Sequence, residues 1–377
     1  MTQARDAVRN LPQAEAFARI RLLRSPNVGP VTYRQLMSRF GTAQTALQAM
    51  PDLAARGGGR YRVADADRVS AEIDAVRVAG AKYLFEDSAS YPALLREFAG
   101  APPILTYRGD IGLFDRPAVA IVGARNASAA AMRMAGEFAA ALAGQGRLVV
   151  SGLARGIDGA AHEGALSAGR GGTCAVIAGG IDVVYPSQHF DLQQRIANEG
   201  ILIAEQPPGV EPQARHFPSR NRIIAGLCAG TLVVEAAPRS GSLLTARMAY
   251  DAGRDVMAIP GSPRDARARG CNQLIRDGAI LVQEPDDVAE MLDSFTGNPR
   301  SHFREEAPEP VIHAPTPEVE DDSKLDIAAL LSSAPVSVDE IIRLSGANTP
   351  SVQMALIELE LAGRLTRHAG GRVSLSS

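Results

Sequence analysis

The 377-residue sequence has no tryptophan, three cysteines and an aromatic content of 5%. Cys174, Cys228 and Cys271 are scattered, and their spacing makes neither a disulfide framework nor a metal-ligand set. Long apolar runs are also missing. The longest uncharged one, Ile223 to Val234, falls well short of the roughly 20 residues that a membrane span needs. No basic-then-apolar leader opens the chain, so a cytoplasmic protein with no membrane partner is expected. Lysine is nearly absent too. Lys82 and Lys324 are the only two, so all but two of the 39 Lys and Arg side chains are arginine, whose planar fork suits phosphate and carboxylate.

What is present is globular. The apolar share of 46% excludes a wholly disordered or fibrous chain, and the length predicts two or three domains at about 100–200 residues each. A formal net charge of −3 taken whole argues against a strongly basic nucleic-acid binder. The charge is unevenly spread, however. Arg304 to Asp326 holds eight acids against two cations, a net of −6, so the rest of the chain sums to +3.

That acidic stretch belongs to a segment, 296–323, with five prolines and almost no apolar periodicity, which reads as a linker. Beyond it, 324–377 shows an apolar block at Leu325–Leu331 and a helix opened by the capping box Ser337-Val338-Asp339-Glu340. A third helix follows Thr349-Pro350, and β-like segments flank Gly370-Gly371. Three helices and a two-stranded wing predict a winged helix. Its recognition helix, Ser351 to Leu361, lacks Arg and Lys and carries Glu358 and Glu360. A helix meant for a DNA groove should be basic or neutral-polar, so a packing or protein-contact role competes with duplex binding.

Residues 1–110 read as mainly helical, with three-to-four-residue apolar spacing in Phe17–Arg24, Val31–Phe40 and Ala43–Met50. Pro26-Asn27-Val28-Gly29-Pro30 partly matches the phosphate-holding hairpin of helix-hairpin-helix proteins, but lacks its first glycine. An ordinary turn is the simpler reading.

Residues 111–295 alternate short β-rich runs with helical stretches. The runs are Ala118–Val122, Leu148–Val150, Thr173–Ile177, Ile201–Ala204, Thr231–Val234 and Val256–Ile259. Such units with nearly continuous apolar strands predict an α/β fold, a Rossmann-like, doubly wound, mostly parallel sheet covered on both faces. In these sheets ligands bind outside the carboxyl ends of the strands. Those ends carry Gly123-Ala124-Arg125, then Ser151-Gly152 through Arg155-Gly156, and Arg239-Ser240-Gly241-Ser242. Glycine admits a close backbone approach, serine offers a hydroxyl, and helix starts aim free amides at one rim. This is the chemistry of an anion site, and phosphate suits it.

The choice of ligand is narrowed by what the rim omits. Neither G-x-G-x-x-G nor a Walker G-x-x-x-x-G-K-[ST] is present. From Glu205 to Arg276 ten arginines face six acids, and His216-Phe217-Pro218-Ser219-Arg220-Asn221-Arg222 joins two of them to an aromatic ring. That composition favours a single-stranded backbone with stacked bases over a lone nucleotide. The alternative is that Arg220 and Arg222 hold Glu235 or Asp158 in structural ion pairs. His162 lacks any metal or triad spacing, Asp158 suits a helix start, and Cys174 reads as core, so no nucleophile and base are assembled.

Five motifs occur in order over about 180 residues: IVGAR at 121–125, SGLARGIDGAAH at 151–162, GGIDVVYP at 179–186, FPSRNRIIAGL at 217–227 and VVEAAPRSGSLLTARMA at 233–249. The chain resembles the DprA/Smf family, the DNA-processing proteins of natural transformation. The resemblance implies an amino-terminal SAM-like helical domain, a Rossmann-like domain and a carboxyl-terminal winged helix. It implies a non-enzymatic cytoplasmic protein, without cofactor or metal, that binds single-stranded DNA. It further implies shielding of incoming strands, loading of the RecA recombinase, and homodimers formed through the Rossmann-like domain. By motif, the expected contacts are Gly123, Arg125, Ser151, Gly152, Arg155, Gly156, Arg220, Asn221 and Arg222, with Ser240, Gly241 and Ser242 beside them. A phosphoribohydrolase-like enzyme is the runner-up, although its Pro-Gly-Gly is missing ahead of Gly230-Thr231 and Glu235. Nucleotide sensing by the same pocket is the third reading.

Overall fold

The computed structural model describes residues 11–295 and 327–376, apart from 99, 170, 171 and 369. Four helices come first: α1 (Gln13–Leu23), α2 (Pro30–Phe40), α3 (Ala43–Arg56) and α4 (Ala66–Val78). Strand β1 (Lys82–Phe85), helix α5 (Ala93–Glu97) and strand β2 (Ile104–Gly109) follow. The alternating region then runs β3 (Ala118–Val122), α6 (Ala129–Gly144), β4 (Leu148–Ser151), α7 (Ile157–Ser167), β5 (Thr173–Gly180), α8 (Phe190–Glu199) and β6 (Ile201–Gln206). It continues through α9 (His216–Leu227), β7 (Gly230–Val233), α10 (Gly241–Asp251), β8 (Asp255–Ala258), α11 (Arg269–Arg276), β9 (Ile280–Leu281) and α12 (Pro285–Asp293). The carboxyl-terminal module holds β10 (Val336–Ser337), α13 (Val338–Ser345), α14 (Thr349–Leu361), β11 (Leu365–His368) and β12 (Arg372–Leu375).

The described residues fall into two compact units, 72–295 and 11–71 together with 327–376. The linker expected over 296–323 lies outside the described residues.

In the first unit nine strands form one sheet, ordered β1-β2-β6-β5-β4-β3-β7-β8-β9. From β6 to β9 every pairing is parallel, and β2 joins β6 antiparallel. The doubly wound, mostly parallel sheet is therefore present. β3, β4, β5 and β7 are buried along their whole length, as strands covered on both faces must be. On one face, α6 and α7 approach backbone to backbone where Gly164 meets Gly136, since a Cβ on Gly164 would strike the Gly136 backbone.

Two readings need correction here. Residues 1–110 are not uniformly helical, because β1 and β2 extend the sheet and bring its unit forward into that range. Short four- and six-residue runs such as Lys-Tyr-Leu-Phe become strands only through an edge to pair with, and no local period announces that edge. A helix is expected from the sequence over Arg222–Leu227, but it begins instead at His216. Pro218 fits inside its first turn, where no intrahelical N–H is required.

In the second unit, α1–α3 bury Leu22, Leu36, Met50 and Leu53 together with Ile357 and Leu361 from α14. The winged module has its own core around Ile327, Ile341, Val352, Leu356 and Val373. α14 thus serves two cores, with Val352, Leu356 and Leu359 on one stripe and Ile357 and Leu361 on another. Its acids belong to the second contact. Glu360 is 8% exposed, and its carboxylate accepts from Thr32 Oγ1 at 2.7 Å and Arg367 Nε at 2.9 Å. Glu358 pairs with Arg56 at 3.0 Å, and a Cβ on Gly57 would strike the Glu358 carbonyl. The expected capping serine is in place, with Ser337 Oγ accepting from the Glu340 amide at 3.2 Å.

Candidate functional site

The order of strands reverses between β3 and β7: the chain winds from β3 toward β6 on one side, then returns to place β7, β8 and β9 on the other. The crevice outside the carboxyl ends of β3 and β7 is where such a sheet takes a ligand. Two hydrogen bonds build its floor. The Ala124 amide donates to the Glu235 carbonyl at 2.7 Å, and the Gly270 amide donates to the Ala236 carbonyl at 2.8 Å. The loop after β3 and the start of α11 therefore hang from adjacent peptide units after β7.

Three of the expected glycines shape the protein rather than a ligand cradle. A Cβ on Gly123 would lie 2.5 Å from Ile157, and one on Gly152 would strike the Arg220 guanidinium. Gly156 sits at φ +74°, a left-handed conformation natural to glycine, with the Ala124 carbonyl where a Cβ would go. Ser151 is fully buried, and its hydroxyl donates to the Ile121 carbonyl at 2.6 Å. Its proton is already committed inside the sheet.

Arg220 also points inward. It is 5% exposed, and its Nη1 donates to the carbonyls of Gly152 and, at 2.8 Å, Val176. Burial pulls its pKa down to about 10, with the Asp158 carboxylate opposing that fall and Arg125 adding to it. Asp158 is pushed up by burial, against the pull of Arg220 and of the Ala154 and Gly152 amides. The pair is a buried strut under the loop after β4. Arg222 is a second strut, bonded to the Glu205 carboxylate and the Gly100 carbonyl. Its partner is Glu205, not the Glu235 or Asp158 weighed from sequence. Glu235 instead receives the Ser128 amide at 3.0 Å and its hydroxyl at 2.8 Å, fixing the start of α6.

The outward residues are fewer and more telling. Arg125 is exposed and its guanidinium lies 4.8 Å over the centroid of the Phe217 ring. Phe217 in turn stands 5.7 Å from the Tyr185 ring at 60°, and Tyr185 is 47% exposed. Three segments, following β3 and β5 and opening α9, thus meet in one cation–aromatic–aromatic row at the rim. Tyr185 is not among the contacts expected from the motifs. Arg155 is exposed after β4, and Arg239, at φ +68°, is exposed after β7. Ser240 caps α10 and lies 2.8 Å from the Ser242 hydroxyl, Gly241 faces open space, and Asn221 makes a long 3.5 Å contact to the Gly241 carbonyl.

Among the described residues, none at this rim pairs a nucleophile with a base. His162 is fully buried, accepting from the Leu153 amide at Nε2 and bonding Thr173 Oγ1 at Nδ1. The three thiols are buried, and burial pushes all of them up, Cys271 to about 11. Among the described residues no cluster of His, Cys, Asp and Glu could hold a metal ion, and no helix is long and apolar enough to cross a membrane.

Fold and rim together define a Rossmann-like protein with an arginine-bearing carboxyl edge. The family model described as DNA recombination-mediator protein A matches residues 82–293, that of a DprA-like N-terminal HHH domain residues 13–75, and that of the DprA winged helix domain residues 311–371. The chain belongs to the DNA recombination-mediator protein A (DprA/Smf) family.

Among its relatives, the DNA processing protein DprA of Streptococcus pneumoniae is 47% identical over 198 residues, 52% of this chain and 70% of that protein. Protein Smf of Escherichia coli is 39% identical over 293 residues, 77% of this chain and 76% of that protein. The crystal structure of the S. pneumoniae DprA superposes with a TM-score of 0.60 at 36% identity, covering 72% of this chain and 95% of that one. A structure of DNA processing protein A from Helicobacter pylori, described for its single-stranded DNA binding mode, gives a TM-score of 0.52 at 26% identity. It covers 57% of this chain and 97% of that one.

Proposed function

We propose that this protein binds single-stranded DNA on the carboxyl rim of its parallel sheet and acts without catalysis of its own. The observation that carries this reading is the row Arg125–Phe217–Tyr185. A half-exposed aromatic pair offers faces on which bases of any sequence can stack, and a guanidinium beside them meets the backbone. Arg155, Arg239 and the 240–242 turn flank the row, with Asn221 at its edge. Gly123, Gly152, Gly156, Ser151, Arg220 and Arg222 support the site from beneath, through the contacts described above. Membership of the DprA/Smf family and the H. pylori relative's single-stranded DNA binding mode support the same assignment. In this reading the protein shields incoming strands during transformation, helps load RecA onto them, and works in the cytoplasm as a homodimer joined through the sheet unit.

The test is a gel-shift series with single-stranded, double-stranded and mononucleotide ligands over a range of salt. Tight, salt-sensitive binding of single strands over duplex and mononucleotide is expected. Preference for the mononucleotide, or release of a base from it, would assign the rim to nucleotide sensing or to hydrolysis instead.

A further inference from the structure

Among the described residues, nine large apolar side chains stand exposed, and only two of them are aromatic: Tyr185, at 47%, and Phe190, at 55%. Both belong to the connection from β5 into α8, five positions apart. The stacking row accounts for Tyr185 but not for Phe190. The side of α8 that faces the sheet is Leu192, Gln193, Ile196 and Ala197. Its three apolar members join Leu153 and Ile181 in a core that leaves Phe190 out. A singly exposed apolar residue is ordinary. The place of Phe190 sets it apart, because the connection after a parallel strand opens on the carboxyl rim where such sheets take ligands.

The position is also braced. Phe190 follows the short turn Ser187–His189, and His189 Nδ1 donates to the Leu153 carbonyl at 3.0 Å. A Cβ on Gly159 would lie 2.8 Å from the same imidazole, so α7 packs closely against it. Three residues beyond Phe190, Gln193 Nε2 donates to the Val183 carbonyl at 3.0 Å. Phe190 is therefore fixed between the loop after β4, which carries the exposed Arg155, and the loop that carries Tyr185. Fully extended, the chain between Tyr185 and Phe190 spans about 17 Å at most. The two aromatic helix starts lie on opposite faces of the sheet. α9, opened by His216-Phe217, packs with Ile201 and Ile203 of β6, whereas α8 packs with Leu202 and Ala204. Tyr185 stands on the edge between them.

Building on the single-strand reading, we propose that Phe190 is a further base-stacking platform. The bound strand then crosses the rim from Phe217 over Tyr185 to the start of α8, with Arg155 beside it. The ligand is a single-stranded polynucleotide of any sequence, since every base offers a π-face to the ring. This path leaves the row on the side of β5 and β6, away from β7, β8 and β9.

The experiment exploits the absence of tryptophan from the chain. Phe190→Trp in the full chain supplies a sole indole, and Phe217→Trp supplies a parallel one in the row. A saturating oligothymidylate of about 25 nucleotides, longer than common single-strand site sizes, should quench the emission of both. Phe190→Ala should bind it about tenfold more weakly with an unchanged salt slope, as for a lost base stack rather than a lost phosphate contact. Phe190→Leu keeps the apolar bulk but has no π-face, and should lose nearly as much. Quenching in Phe217→Trp without quenching in Phe190→Trp overturns the proposal and leaves the row standing. Wild-type affinity in Phe190→Ala or in Phe190→Leu also overturns it. If the oligonucleotide binds and neither indole responds, the row fails together with the proposal. Should the wild-type protein bind no single strand, the single-strand reading falls and takes this proposal with it.

Discussion

Thr32 and Glu360 stand 328 positions apart in the chain and share a buried 2.7 Å hydrogen bond. Around it, Arg367 completes the carboxylate's partners and also reaches Gln35 at 3.2 Å, while Arg364 donates to the Gly57 carbonyl at 3.3 Å. The helix that a winged module would offer to a DNA groove is here docked on α2 and α3. Glu358 and Glu360, which counted against groove binding, have a structural use at that contact.

Removing the carboxylate should loosen the docking and little else. Glu360→Ala leaves Thr32 and Arg367 without their shared acceptor, at a cost of about 1.5–3 kcal/mol for a hydrogen-bonded charge. Amide exchange in α2 and α14 should speed up about 10–100-fold, with protection in β3–β5 unchanged. Glu360→Gln, which keeps an acceptor for Thr32, should recover part of it. Equal loss of protection in the sheet would contradict two separately stabilised units.

Deleting residues from 327 onward should separate binding from stability. Single-strand affinity stays close to wild type, because the rim belongs to the other unit. The α1–α3 core, however, loses Ile357 and Leu361 and exposes Leu53 and Met50, so binding of an apolar dye should rise. A large fall in single-strand affinity would assign the winged module a direct share of the ligand.

Charge and stacking at the rim should be separable by salt. Arg125→Ala should weaken single-strand binding and lower the salt slope by about 0.7, the value for one phosphate on a single strand. Phe217→Ala should cost about 1–3 kcal/mol and leave the slope nearly unchanged. Tyr185→Ala should behave like Phe217→Ala. A slope change in the aromatic variants alone would remove the stacking assignment.

Acid should weaken the sheet unit through His162. Burial, then His189 and Arg220, pull its pKa from 6.5 down to about 3. Once unfolded the ring gains a proton near 6.5, so the unfolded state binds more protons below that pH. The contribution is full above about 6.5 and is lost at about 1.4 kcal/mol per pH unit as the pH falls toward 3. Urea denaturation of wild type and His162→Gln at a series of pH values isolates this group. Parallel curves between pH 6.5 and 4 would count against it.

The central strands were legible because each is a continuous apolar run, most of them leading into loops with glycine, serine or arginine, and the reversal of strand order put the ends of β3 and β7 together. The edge strands were not, since β2 needs β6 as a partner and β1 needs β2. The roles of Arg220 and Arg125 turned on one boundary. With α9 starting at His216, Arg220 falls on the stripe His216, Arg220, Ile223, Leu227 that faces the sheet. Starting the helix at Arg222 hid that stripe, so Arg220 was grouped with outward cations. Arg125, on a loop, had no stripe to join. Tyr185 left a weaker signal: an aromatic side chain just beyond a buried strand end, which only the nearby Phe217 ring makes meaningful.

The shared core of the second unit sets an order of assembly. Residues 11–71 are synthesised first, yet the side chains of Ile357 and Leu361 that close their core follow only after the whole sheet unit has been made. The sheet unit, whose buried cores draw only on residues between 76 and 295, can fold while the chain is still growing. The amino-terminal helices must hold an uncovered apolar face until the last fifty or so residues arrive. A ribosome pausing beyond the sheet unit would therefore leave a product with a finished strand-binding rim and an unfinished helical unit, open to proteolysis there first.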